Sequence, residues 1–167
     1  MAKTTAAQAR PRVDRPDVES YWKAVRGGHA RSHRYVLLLG LRPSGPVEMV
    51  KLLSKGLSFV TVERFLANSS FSTEDLADLV AIPARTLHRR KEQGRLDPLE
   101  SDRLLRVTRV FAKALDLFEG DAEAAHRWFE TPAKALGGKR PKAIAGTDPG
   151  SREVETLIDR LEQGVLA

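Results

Sequence analysis

Apolar positions along this 167-residue chain recur mostly at helical spacing, and glycine, proline and capping residues mark the breaks. Val47, Val50 and Leu52 or Leu53 predict a short helix that ends at Gly56, and Val62, Phe65 and Leu66 predict an inward face on a second over 61–68. Ser72 to Asp75 has the form of a capping box, with a hydroxyl at the cap and an acid three residues on. It opens a helix with Leu76, Leu79 and Val80 inward, which Ala81-Ile82-Pro83 breaks. Pro83 can start the next helix, because a missing N–H costs nothing in a first turn. That helix runs through Thr86, Leu87 and Arg90 to a stop at Gly94.

Asp97-Pro98-Leu99-Glu100 is a second start signal, ahead of the longest predicted helix, 98–118. Its Leu104, Val107, Phe111, Ala114 and Phe118 alternate spacings of three and four, which defines a buried face. Asp121 caps a short helix carrying Ala125, Trp128 and Phe129, and Pro132 closes it. Leu136-Gly137-Gly138 marks a tight turn. Thr147-Asp148-Pro149 then opens a last helix with Val154, Leu157, Ile158 and Leu161 on one side, and Gly164 ends it before the apolar Val165-Leu166-Ala167.

The N-terminal region reads differently. Residues 1–17 are rich in Ala, Arg, Thr and Pro without a sustained period, so a flexible arm is expected. A short helix over 18–26 would put Tyr21, Trp22 and Val25 on one side and stop at Gly27-Gly28. Residues 36–41 suit a strand or a helical turn equally, and 43–46 reads as a loop. Residues 1–34 hold eight Lys/Arg against three Asp/Glu, and residues 35–167 hold twenty against nineteen. A basic arm is thus joined to a nearly neutral body, either to attract nucleic acid or an acidic partner or simply as a solvated terminus.

Cysteine is absent, which removes disulfides and thiolate chemistry. The longest apolar run, Tyr35 to Gly40, is far short of the ~20 residues that span a bilayer. No hydrophobic stretch of the signal-peptide kind begins the chain. A soluble, cytoplasmic protein without membrane association is expected.

The middle of the chain carries the most specific chemistry. Two short helices joined by a tight turn form a helix-turn-helix over about 72–94, with Ala77 small where the helices meet and Ile82 and Leu87 packing back. Ser72 and Thr73 begin the first helix; Arg85, Thr86, His88, Arg89 and Arg90 share the outer faces of the second. Arginine forks match guanine edges and phosphates, so these seven residues are the DNA-contact candidates. Many helix-turn-helices have glycine at the turn; here Ala81 must serve with a Cβ. Arg103, Arg106, Arg109 and Lys113 form a second basic line, to track phosphates or to make a solvated face. The last helix can close its own core or dock in a partner's groove, whereas the apolar tail suits a partner.

Catalytic patterns do not appear. His29 and His33 are four apart, but no carboxylate pattern completes a metal site around them. There is no phosphate-gripping glycine loop and no nucleophile elbow, so a binding protein without cofactor or metal is expected rather than an enzyme.

Leu136 to Pro141, the start at Asp148 to Gly150, the run Val154 to Leu161 and the ending Glu162 to Ala167 together resemble the Xre/MbcA/ParS-type antitoxins. Ile82 to Lys91 and Ser101 to Leu105 resemble the same family, so the similarity spans about Leu37 to Ala167. The resemblance implies a mainly α protein with an Xre-like helix-turn-helix domain including the long helix (36–118) and a helical C-terminal toxin-binding domain (119–167); the flexible basic arm (1–35), outside the match, is read from composition alone. It implies an antitoxin that binds and blocks a RES-domain toxin, a consumer of NAD. It also implies repression of its own operon at a pseudo-palindromic operator, through a homodimer within a toxin–antitoxin hetero-oligomer. Arg140, Gly164, Val165, Leu166 and Ala167 are the expected toxin contacts. The alternative is a stand-alone transcriptional regulator whose C-terminal part serves dimerisation or sensing.

Overall fold

Helix α6 (Pro98–Leu117) is the axis on which the other elements are laid. The computed structural model describes residues 16–27, 31–42 and 45–164. Around α6 lie α1 (Pro16–Arg26), α2 (Pro46–Lys55), α3 (Val60–Ser69), α4 (Thr73–Leu79), α5 (Ala84–Gln93), α7 (Ala122–Glu130), α8 (Pro141–Ile144) and α9 (Asp148–Glu162). Arg31–Leu39 and Lys134–Leu136 are 3₁₀ segments, and the described residues form isolated bridges but no strand. The fold is therefore mainly α, as expected.

The predicted stripe of α6 is buried at Leu104, Val107, Phe111 and Ala114, and so are Thr108, Val110, Ala112 and Leu115 beside it. The burial is wider than one face because neighbours pack on several sides of α6: α2, α3, α7, α9 and the first 3₁₀ segment. Its Asp97 capping box forms as predicted, with the side chain accepting from the Glu100 amide at 2.8 Å.

Two expectations need correction. In α2, Val47 and Val50 are exposed; the inward stripe starts one register round, at buried Met49, and continues through Leu52 and Leu53. The flexible arm expected over 1–35 does not hold for its second half. α1 buries Tyr21, whose hydroxyl donates to Asp116 Oδ1 at 2.7 Å and to the Ala112 carbonyl at 3.3 Å. Burial first, and then the Asp116 carboxylate, push that phenol far above its ordinary range, so it remains a donor. Asp17 also accepts from Arg64 at 3.1 Å and Asn68 at 3.2 Å. Residues 1–15, Gly28, His29, the 43–44 part of the expected loop and the tail 165–167 lie outside the described residues.

The ambiguous 36–41 segment is the end of the first 3₁₀ run, where Val36 and Leu39, three apart, are both buried. The open question about the last helix is resolved as well. Val154, Leu157 and Ile158 of α9 are buried, and α9 packs along α6. Arg109 meets Glu155 at 2.8 Å and Lys113 meets Asp159 at 2.6 Å across that seam. Arg106 pairs with Asp102 at 2.7 Å, within α6. Neither expectation for the second basic line holds: Arg106, Arg109 and Lys113 are ion-paired inside the chain and Arg103 donates to backbone carbonyls, rather than being offered to phosphates or simply solvated.

The C-terminal half also grips the start of α4. Lys142 Nζ lies 2.6 Å from Asp75 Oδ1 and 2.6 Å from Glu130 Oε1. Burial raises the Asp75 carboxyl, but hydrogen bonds from Lys142 and from the hydroxyl and amide of Ser72 outweigh it and hold the group down to about 2. The same carboxylates outweigh burial at Lys142 and raise its ammonium.

The turn between α4 and α5 makes a first test. Ala81 has φ 50°, in the left-handed region, where an L-residue loses roughly 1–2 kcal/mol. Glycine's freedom in the unfolded chain takes back about 0.5–1 kcal/mol of that. Ala81→Gly is therefore expected to stabilise the protein by about 0.5–1 kcal/mol, read as a raised urea midpoint; a lowered midpoint would show no strain there. A second test uses pH. A depressed carboxyl contributes stability above its ordinary value of about 3.9 and loses it as pH falls through the folded value, about 2 here. A raised ammonium contributes below about 10.4 and loses its contribution as pH rises past its folded value. The stability difference between the wild type and Lys142→Met should be flat from about pH 5 to 9 and shrink towards pH 2. A difference that grows on acidification would contradict the pairing.

Candidate nucleic-acid interface

The helix-turn-helix begins with a complete capping box. Ser72 Oγ accepts from the Asp75 amide at 3.0 Å, and Asp75 Oδ2 accepts from the Ser72 amide at 3.0 Å. Leu76, Ala77 and Leu79 of α4, with Val80, Ile82 and Leu87, are buried in the common core. The left-handed Ala81 turn is held from outside: Arg103 of α6 donates to the Ala81 carbonyl at 3.0 Å. Pro83 is the residue before α5, one position earlier than expected, and Gly94 ends the helix with φ 73°.

With Leu87 inward, the 100° step of an α-helix puts Arg85 and Arg89 together on the opposite side. Both are exposed and make no ion pair among the described residues. Thr86 lies half-buried on one flank. His88 is exposed on the other, with Nε2 3.6 Å from Glu92 Oε1, and it lines a groove shared with Glu63, Glu74 and Lys91. The acids make that flank less suited to phosphate than the Arg85–Arg89 side. Ser72 and Thr73 are exposed at the start of α4, the Ser72 hydroxyl already engaged in its cap.

Arg90 departs from expectation. Its Nε lies 2.7 Å from Glu100 Oε2 and its Nη2 2.8 Å from Asp97 Oδ2, and Nη1 donates to Gln93 Oε1 at 3.0 Å. Every nitrogen of the fork is engaged within the chain, so Arg90 is not offered outward with Arg85 and Arg89. It fastens α5 to the cap of α6 instead. Asp97 and Glu100, outside α5 in sequence, come back to it through the Gly94 turn.

Arg95 was not singled out by sequence, yet it donates to the carbonyl of Gly56 at 2.7 Å. Next to it, the Leu96 amide donates to the Leu57 carbonyl at 2.9 Å, and the Leu57 amide to Ser101 Oγ at 2.8 Å. The exit of α5 is thus pinned to α2 and α6.

At the C-terminal end, Arg140 is exposed on the turn before α8, 3.7 Å from Glu130 Oε2. Gly164 is exposed with φ 69°, and Val165, Leu166 and Ala167 lie outside the described residues. Asp75, His126 and Glu130 bring possible metal-ligand atoms within 4.8 Å of one another. The Lys142 ammonium touches both carboxylates, so a protein cation already balances them. No helix among the described residues is long and apolar enough to cross a membrane.

Comparison with known proteins agrees with this geometry. The family model of the antitoxin Xre-like helix-turn-helix domain matches residues 48–109. That of the antitoxin Xre/MbcA/ParS C-terminal toxin-binding domain matches residues 113–164. The Antitoxin Xre of Yersinia enterocolitica serotype O:8 is 36% identical over 130 residues, 77% of this chain and 88% of that protein. The Antitoxin Xre of Photorhabdus laumondii is 33% identical over 125 residues, 74% of this chain and 84% of that protein. A Prs ADP-ribosylating antitoxin of a Sphingobium species is 21% identical over 133 residues, 74% of this chain and 84% of that protein. With a capped helix-turn-helix running through α6 into a toxin-binding domain, the chain belongs to the Xre antitoxin family and is an antitoxin of a toxin–antitoxin system.

Proposed function

We propose that this antitoxin neutralises a RES-domain toxin that consumes NAD, and represses its own operon through the helix-turn-helix. The single observation that carries the DNA half is the pair Arg85 and Arg89, exposed one turn apart opposite buried Leu87. Two such forks reach adjacent base edges or phosphates. Thr86 and His88 flank them, and Ser72 and Thr73 present the start of α4 to the backbone. A homodimer would set two of these helices on a pseudo-palindromic operator in the cytoplasm.

The toxin half is supported by the match to a toxin-binding domain and by the relative named for ADP-ribosylation, a chemistry that draws ADP-ribose from NAD. The apolar face of α9 is buried in this chain's own core, and the proposed toxin contacts are exposed Arg140 and the segment Gly164 to Ala167.

The DNA reading is tested by a pair of variants. Arg89→Ala should keep the wild-type melting temperature and weaken binding to a duplex carrying its own promoter by about 1–3 kcal/mol, the worth of a bidentate base contact. Arg90→Ala should instead lower the melting temperature, because it strands buried Glu100. Equal promoter affinity in Arg89→Ala would remove that residue from the reading surface. The toxin reading is tested by deleting residues 164–167. Neutralisation of a co-expressed RES-type toxin from the neighbouring gene should be lost while promoter binding persists; retained neutralisation would refute the tail contact.

A further inference from the structure

The seven residues of α4 are fewer than a free helix needs to persist in water, so its placement depends on what holds its two ends. Neither end is held by the helix-turn-helix alone. At the start, Lys142 of α8 sits between Asp75 and Glu130, 2.6 Å from each, with only 18% of its side chain exposed. The other oxygen of Asp75 accepts from the amide and the hydroxyl of Ser72 at 3.0 and 2.8 Å. One carboxylate therefore joins the cap of α4 to the C-terminal domain.

At the far end, Gly146, between α8 and α9, lies against the Leu79 carbonyl. A Cβ on Gly146 would stand 2.5 Å from that oxygen, closer than real Cβ atoms approach backbone. Ala145 beside it is fully buried, and α8 packs against α4 along the way.

We infer that Lys142 is a positioning residue for DNA recognition: from the toxin-binding domain it sets α4 through Asp75, and with it the presentation of Arg85 and Arg89. Lys142 touches no DNA in this arrangement; it acts through the cap. The inference rests on the promoter-binding reading above, for which Arg89→Ala is the control.

The test compares full-length wild type, Lys142→Met, Asp75→Asn and the double variant. Each is titrated against a duplex carrying the chain's own promoter, at several salt concentrations and well below every melting temperature. The side-chain oxygen of asparagine can still accept from the Ser72 amide, and Ser72 remains the cap, so Asp75→Asn keeps the local start of α4. Both single variants should bind about two- to thirty-fold more weakly, the range of couplings transmitted from a second site. The double variant should be no weaker than the worse single, because both changes break one contact. The dependence of affinity on salt should keep the wild-type slope.

Three results would overturn the proposal. One is unchanged affinity in Lys142→Met while Arg89→Ala weakens binding. Another is a salt slope lowered by about one, which marks a lost phosphate contact. The third is tighter binding by Asp75→Asn, which marks a mere change in net charge near DNA. If Lys142→Met does not fold, Asp75→Asn decides alone, since weaker binding at unchanged salt slope supports positioning and equal or tighter binding refutes it. If Arg89→Ala leaves affinity unchanged, the reading surface itself is at fault rather than Lys142.

Discussion

Phe71 occupies the short link between α3 and α4, a place where a polar residue is usual, and it is buried. Its ring centroid lies 5.7 Å from that of Phe111 on α6, 5.6 Å from Phe129 on α7 and 6.1 Å from Phe65 on α3. The contacts to Phe111 and Phe129 are edge-on, the geometry that favours aromatic pairs. Because this ring is committed, Ser72 must start α4 immediately outside the aromatic cluster. The direction of α4, the turn at Ala81 and the outward side of α5 all follow from that point. His126 closes the cluster at 4.9 Å from Phe71, with its Nε2 buried and without a hydrogen-bond partner. The anchor of the helix-turn-helix is therefore built largely by helices beyond it in sequence.

Charge obeys the same economy. The chain is basic, yet most of the arginines and lysines in its middle are used internally. Arg90 ties α5 to α6, Arg95 ties the exit of α5 to α2, and Arg103 closes the Ala81 turn. Arg109 and Lys113 join α6 to α9. Partly buried pairs of this kind fix geometry more than they add stability, since desolvation offsets much of the attraction. What remains outward on α5 is a small set centred on Arg85 and Arg89. A footprint on DNA is read from such leftovers rather than from total charge.

How far the sequence revealed this depends on the range of each signal. Capping boxes at Ser72 and Asp97, the caps at Asp121 and Thr147 and the stop at Gly94 involve neighbours three or four residues apart, and each was legible. The stripes of α6 and α9 were legible too, because a long helix samples its period several times. α2 was misread by one register: ten residues carry too few turns for Val47 and Val50 to be separated from Met49. Phe71 was overlooked because it lies between periodic segments. Arg90 was misassigned because its acids, Asp97 and Glu100, belong to the next helix. Lys142 carried no local signal at all, its partner Asp75 being 67 residues away.

These long-range contacts also bear on what a domain is in this protein. The two family matches meet between residues 109 and 113, which is inside α6. The residues between them, Val110, Phe111 and Ala112, are all buried, and Phe111 belongs to the aromatic cluster. A cut there would divide the central helix and expose the ring packed against Phe71. A cut after α6 would leave Phe71 without Phe129, and Asp75 without Lys142. The hydrophobic cluster runs unbroken from Tyr21 to Ile158. The helix-turn-helix and the toxin-binding domain thus share one core, and a partner that shifts α7 or α8 must do work against the contacts that place α4.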